Sequence, residues 1–201
     1  TVHHLSEDID EVKNLYKECI VSGNADRVYI YGSTSKITFA GSGMAAIGGS
    51  EANMNWMRKH LTISTIGPDK INQVRHCRFF GDFKGLQNHM KKHAALIKPK
   101  FDVVISILEE QLGGKGLARW TNPKGGYFIS LDTNDKCAKR VVELASDAGV
   151  KLTAAGATFP YKNDPKDSNI RLAPTLPSIE EIKSAMEIVC LCIKVADAER
   201  S

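Results

Sequence analysis

Apolar positions in this chain follow two rhythms, one of three to four residues and one of alternation or short runs, and the changes between them mark out its elements. Ile9, Val12, Tyr16, Cys19 and Ile20 recur at helical spacing, with Ser6 placed to cap the start and Gly23 to stop it. RVYIY (27–31), bounded by Asn24-Ala25-Asp26 and Gly32, predicts a short buried strand, and MAAIGGS (44–50) predicts a second. SEANMNWMRKHLTIS (50–64) then predicts a helix capped by Ser50. After Pro68 another helix presents Ile71, Val74 and Cys77. The longest pattern runs from Lys84 to Leu112: Leu86, Met90, Ile97, Phe101, Val104, Ile105, Leu108 and Leu112 form the stripe of one helix, stopped by Gly113-Gly114. Pro99 lies inside it and should bend it, because proline removes a backbone donor and crowds the preceding turn.

Beyond that helix the rhythm becomes that of a compact α/β module. LARWT (117–121) is followed by a Pro-Lys-Gly-Gly turn and the strand YFISLD (127–132). A helix over 135–148, closed by Gly149, leads to a short strand VKLT (150–153), a loop rich in Gly, Pro and Asp, and the strand NIRLAP (169–174). Ser178 with Glu181 three residues on is a capping box that opens the last helix. The pattern divides the chain into two structural units, 1–96 and 97–201.

Composition narrows the reading only a little. A chain of 201 residues that is 42% hydrophobic can bury a sizeable core. Its formal charge of +4 comes from 27 basic residues interspersed with 23 acidic ones, a mildly basic surface that gives no footprint for nucleic acid. Five cysteines lack the spacing of a zinc site, which predicts free thiols in a reducing compartment, the cytoplasm. No apolar run reaches membrane-spanning length, and the polar opening TVHHLSEDID is not a signal peptide; with no initiator Met, Thr1 is not expected to be the natural start.

The candidate chemistry centres on YGSTSKITFAG (31–41). Lys36 stands just beyond the C-terminal end of a predicted strand, where open α/β sheets bind ligands. Taken alone, a lysine there is most simply a solvated charge. Ser33, Thr34 and Ser35 alter that balance, since their hydroxyls and backbone N–H groups could hold a phosphate, and a partly desolvated amine beside them could attack a carbonyl. His89 and His93 have a metal-compatible i, i+4 spacing, but lysines surround them and no third ligand presents itself, so a solvated helix face is the reading and no metal is expected. Trp56 and Trp120 read as core or interface anchors.

Ser33-x-x-Lys36 behind a strand resembles the cofactor-lysine motif of the fold-type I, pyridoxal 5′-phosphate-dependent aminotransferases of classes I and II. NPKGGYFISLD (122–132) is similar to the Pro-x-Gly-Gly strand of that family's small domain, and NIRLAP to the strand bearing its carboxylate-binding arginine. The wording GSTSKITFAGSG is closest to the MocR-like aspartate or alanine aminotransferases. The resemblance covers essentially all of this chain but only the C-terminal half of the family's. It implies an α/β fold in which 1–96 is the C-terminal part of the large cofactor-binding domain and 97–201 the small domain. It also implies a homodimer acting on amino acids and 2-oxo acids. Lys36 would be the catalytic residue, linked to the cofactor aldehyde and shuttling the substrate proton. Ser33 would bind the cofactor phosphate with Ser35 assisting, and Arg171 would clamp the substrate carboxylate, with Asn169 orienting it. Gly125-Gly126 is architecture.

Two departures accompany the resemblance. Many relatives carry a phosphate-binding arginine eight residues after the lysine, where this chain has Met44. The aspartate that pairs with the pyridine nitrogen and the tyrosine that faces the cofactor's phenolic oxygen precede the lysine in the family. Asp8, Asp10 and Asp26 do not fit the first role. The chain is therefore expected to be a C-terminal fragment that binds the cofactor poorly alone. An effector-binding domain of a MocR-type transcription regulator, and a lyase or decarboxylase on the same fold, stay open as alternatives.

Overall fold

A computed structural model describes residues 13–200. The predicted cap Ser6 and the stripe residues Ile9 and Val12 lie outside the described residues, as do Asp8 and Asp10. Two compact units divide the chain, one ending at Lys91 and the other beginning at Lys92.

The first unit opens with α1 (Leu15–Val21), whose cap is Asn14: its side chain accepts from the Tyr16 and Lys17 N–H groups. Residues 25–27 form a single 3-10 turn rather than the start of a strand. Strand β1 is therefore Ile30–Ser33, and it pairs antiparallel with β2 (Ala45–Gly48), Tyr31 opposite Ile47 and Ser33 opposite Ala45. The prediction of buried strands fails here. Two strands make the whole of this sheet, and with no further layer among the described residues Tyr31 is 70% exposed. Helix α2 (Glu51–Thr65) starts at Ser50, whose hydroxyl accepts from Asn53 N–H, and carries Trp56 exposed rather than in a core. Helix α3 (Lys70–Phe80) is capped by Asp69. Its buried residues are Asn72 and His76, while the predicted apolar stripe, Ile71, Val74 and Cys77, faces outward.

Helix α4 (Phe83–Leu112) continues through Pro99, which lies inside it. The second unit is built on its C-terminal half. Strands β3 (Ala118–Trp120), β4 (Ile129–Thr133) and β5 (Asn169–Leu172) form an antiparallel sheet in the order β3-β4-β5. Because side chains alternate across a strand, Ile129 and Leu131 share one face with Ile170 and Leu172, and that face is fully covered. Phe101, Val104, Leu108 and Leu112 of α4 pack into the same core with Val141 of α5 (Ala138–Asp147) and Ile182, Met186, Val189 and Ile193 of α6 (Ile179–Arg200). Trp120 packs half-buried against this core.

Local chemistry explains several boundaries. The predicted capping box forms: Ser178 N–H donates to Glu181 Oε2 at 2.7 Å and Glu181 N–H to the Ser178 hydroxyl at 3.2 Å. The Ser178 backbone N–H, and then its hydroxyl, hold the Glu181 carboxyl below its ordinary range. VKLT (150–153) is not a strand; it follows Gly149, at φ +87°, as extended chain with no ladder partner. The five cysteines are free thiols, with Cys137, Cys190 and Cys192 buried in the core of the second unit. Among the described residues no helix is long and apolar enough to cross a membrane.

Candidate functional site

Strand β1 ends at Ser33 and the chain turns at once. The Ile37 and Thr38 N–H groups both donate to the Thr34 carbonyl, at 2.8 and 3.0 Å, closing a tight turn with Lys36 exposed on it. Directly before the lysine the Ser33 and Ser35 hydroxyls lie 2.7 Å apart, and Ser35 N–H donates to Ser33 Oγ at 3.1 Å. The returning chain runs close by. A Cβ at Gly43 would come within 2.9 Å of the Ser35 Cα, so position 43 has no room for a side chain. Met44, where many relatives of the resembled family place arginine, ties both backbone groups to Thr34: Thr34 N–H donates to the Met44 carbonyl, and Met44 N–H to Thr34 Oγ1, each at 2.8 Å. Asp26 is exposed on the 3-10 turn, where its carbonyl accepts from Asn53 Nδ2.

The underside of the Lys36 turn rests on residues the sequence did not single out. His76, 3% exposed, has Nε2 at 2.9 Å from Thr38 Oγ1 and 3.5 Å from Thr34 Oγ1, and Nδ1 at 2.8 Å from the Asn72 carbonyl. Asn72 Nδ2 donates to the Ser42 carbonyl at 2.9 Å. From α4, His89 Nε2 lies 2.9 Å from the Ile37 carbonyl. His89 is thus half-buried against the turn, not part of a solvated face as the spacing suggested. Among the described residues no cluster of His, Cys, Asp and Glu could hold a metal ion. One signal for these contacts was available: Thr34 and Thr38 repeat at four residues, as do Asn72 and His76.

In the second unit, Asn169 and Arg171 project from the outward face of β5, opposite the core-facing Ile170 and Leu172. Asn169 is fully engaged. Its Nδ2 donates to Ser130 Oγ at 2.9 Å and Asp132 Oδ1 at 2.7 Å, and its Oδ1 accepts from the Thr158 hydroxyl at 2.7 Å. Asp164 secures the entry to the strand, accepting from the Lys166, Ser168 and Asn169 N–H groups. Burial pushes its carboxyl upward, but the backbone donors outweigh that and leave the pKa below the ordinary value. The Arg171 guanidinium carbon sits 4.4 Å from the centre of the Phe128 ring, and its Nε is buried with no hydrogen-bond partner. An orphaned buried donor costs about 1–3 kcal/mol. Arg171 also lines a cleft of about 690 Å³ with Leu152, Pro174 and Met186.

Each unit taken by itself carries suitable chemistry: in the first, an exposed primary amine with two hydroxyls beside it fits a phosphorylated aldehyde, and in the second, an arginine with an unsatisfied donor fits a carboxylate. Solved structures place the architecture among the aminotransferases. An aspartate transaminase from Corynebacterium glutamicum is 45% identical and superposes with a TM-score of 0.95, over 99% of this chain and 47% of its own. The α-aminoadipate aminotransferase LysN of Thermus thermophilus, solved with N-(5′-phosphopyridoxyl)-L-leucine, shares the fold at 18% identity, with a TM-score of 0.79 over 98% of this chain and 48% of its own. The sequence profile described as aspartate amino-transferase matches residues 1–201, and the chain belongs to that family. A curated relative, the aspartate aminotransferase of Corynebacterium glutamicum, is 46% identical over 198 residues, 98% of this chain and 46% of the relative. The chain spans about half the length of the curated relatives it matches.

Proposed function

We propose that the protein is a pyridoxal 5′-phosphate-dependent transaminase that moves an amino group from an amino acid of the aspartate, glutamate or alanine class to a 2-oxo acid. The observation that carries this reading is the exposed Lys36 on its tight turn beside the paired Ser33 and Ser35 hydroxyls. The identity to relatives named as aspartate aminotransferases supports it. The N-(5′-phosphopyridoxyl)-L-leucine bound to LysN supports the choice of pyridoxal phosphate.

When bound, the cofactor supplies an electron sink that acidifies the substrate α-proton. Lys36 Nζ would hold the cofactor aldehyde and, as a free amine, would take and hold the proton from the substrate α-carbon. Ser33 and Ser35 hydroxyls donate to the phosphate, helped by backbone donors of the turn because position 44 has no cation. Arg171 binds the substrate carboxylate through two parallel hydrogen bonds, which a lysine cannot reproduce. Asn169 holds β5 in register through Ser130, Asp132 and Thr158, and so fixes where Arg171 emerges. On this reading the chain is the C-terminal portion of a MocR-like enzyme, with residues 1–96 belonging to the large domain and 97–201 forming the small one. The enzyme works as a cytoplasmic homodimer, and the acidic partner of the ring nitrogen comes from outside these residues.

The test is reductive trapping. In the full-length enzyme borohydride should fix pyridoxal phosphate on Lys36, located by mass spectrometry, and its Lys36→Ala variant should show neither the adduct nor amino-group transfer. Arg171→Lys should keep the adduct but lose about 100-fold in kcat/KM for the amino acid. A cofactor band or turnover surviving in Lys36→Ala would overturn the assignment.

A further inference from the structure

We propose that His76 is a positioning residue for Lys36, acting through the hydroxyls of Thr34 and Thr38; the inference rests on the reading of Lys36 as the cofactor lysine. The helix carbonyl of Asn72, 2.8 Å from Nδ1, can only accept a hydrogen bond, so Nδ1 of His76 carries a proton. In the neutral ring Nε2 is then an acceptor, and the Thr38 hydroxyl at 2.9 Å donates to it. The Thr34 hydroxyl oxygen, 3.2 Å from that of Thr38, accepts from the Met44 N–H. Nε2 also lies 3.5 Å from the Thr34 hydroxyl, so the imidazole joins the α3 backbone to both threonines, and Thr34 in turn holds the returning chain at Met44. Both threonines flank Lys36, two residues away on either side.

The ring is buried and held edge-on by Phe39, with centroids 5.4 Å apart. Its position is therefore set by packing before any ligand arrives. His89 meets the Ile37 carbonyl from another helix, so the turn is held at one further point while Lys36 lies exposed on it. An amine on a four-carbon stem reaches many places. Fixing the backbone beneath it narrows that range to the geometry in which it meets the cofactor aldehyde, which is what proximity contributes to rate.

Three variants of the protein separate the possibilities. His76→Phe keeps the aromatic packing and removes both hydrogen bonds; Thr38→Val removes the hydroxyl without touching α3; His76→Gln returns an amide acceptor near the Nε2 position. The rate at which Lys36 is trapped with pyridoxal phosphate and borohydride should fall about tenfold in His76→Phe and in Thr38→Val. The double variant should be no slower than either single one, and His76→Gln should stay within about twofold of the parent. Amide exchange at Ile37 and Thr38, read without cofactor, should quicken in the first two variants while the melting temperature of the protein holds. Parent-like trapping in Thr38→Val, additive losses in the double variant, or unchanged exchange would each overturn the proposal. If the full-length parent itself traps nothing at Lys36, the transaminase reading fails and the proposal falls with it, whatever the exchange shows.

Discussion

The two units of this chain are held together by different physics. From Ile97 to Ala196 the second unit has a continuous apolar core in which Leu108, Ile129, Leu131, Val141, Ile170 and Val189 have lost all contact with water. In the described part of the first unit the buried residues are Asn72 and His76, both polar and both hydrogen-bonded to the segment that carries Lys36. Its large apolar side chains, among them Val21, Ile63, Ile66 and Ile71, are mostly exposed. The difference teaches that, among the described residues, the turn bearing Lys36 is fixed by directional bonds where little apolar burial is available, whereas the Arg171 strand relies on a packed core behind it. Hydrophobic burial is non-directional and adds up with area; hydrogen bonds set geometry but contribute about 1 kcal/mol each.

Mutations that probe each kind of support should separate the units. Leu108→Ala removes a side chain with no exposed surface, and denaturant unfolding of the second unit should show a loss of about 3 kcal/mol or more. Asp164→Asn should be milder, about 1 kcal/mol, because it weakens charge-assisted bonds to three backbone donors at the entry to β5. Its contribution has a defined acid dependence. The folded pKa lies below the unfolded value, so the stabilisation is complete above the unfolded pKa of about 3.9 and disappears as the pH falls through the folded one. Parent and variant should therefore converge in acid when their melting temperatures are followed downward from pH 6. Val74→Ser, on the exposed stripe of α3, should change stability by less than about 0.5 kcal/mol. A loss there as large as at Leu108 would break the contrast, because it would mean that the first unit depends on apolar burial after all.

What could be read from sequence follows the same division. Helices α2, α4 and α6 were legible because their stripes are long and their caps explicit, Ser50 for one and the Ser178–Glu181 box for another. β5 and its outward Arg171 were legible because a covered sheet enforces alternation. The first unit resisted for a physical reason. Pattern reading assumes that apolar residues point inward, and α3 inverts the assumption, turning Ile71 and Val74 outward and Asn72 and His76 inward. The Lys36 motif stood out in the sequence, since its residue types are chemically distinctive. The bed of threonines and histidines under it was not, because their partners lie 38 to 52 positions away in the chain. VKLT failed for another reason: a short run with β-prone Val150 and Thr153 does not make a strand without an edge to pair with.

The cysteines give the molecule a built-in stopwatch. Cys190 lies in the core of the second unit with its thiol pushed up to about 11 by burial, whereas an unfolded cysteine ionises near 8.5. Cys137 and Cys192 are shielded in the same unit, while Cys77 is exposed in the other. An alkylating reagent at mildly alkaline pH should therefore mark Cys77 at once and the three shielded sulfurs only when their unit opens. The order in which masses appear would time the opening of one half of the chain without any dye, label or engineered reporter.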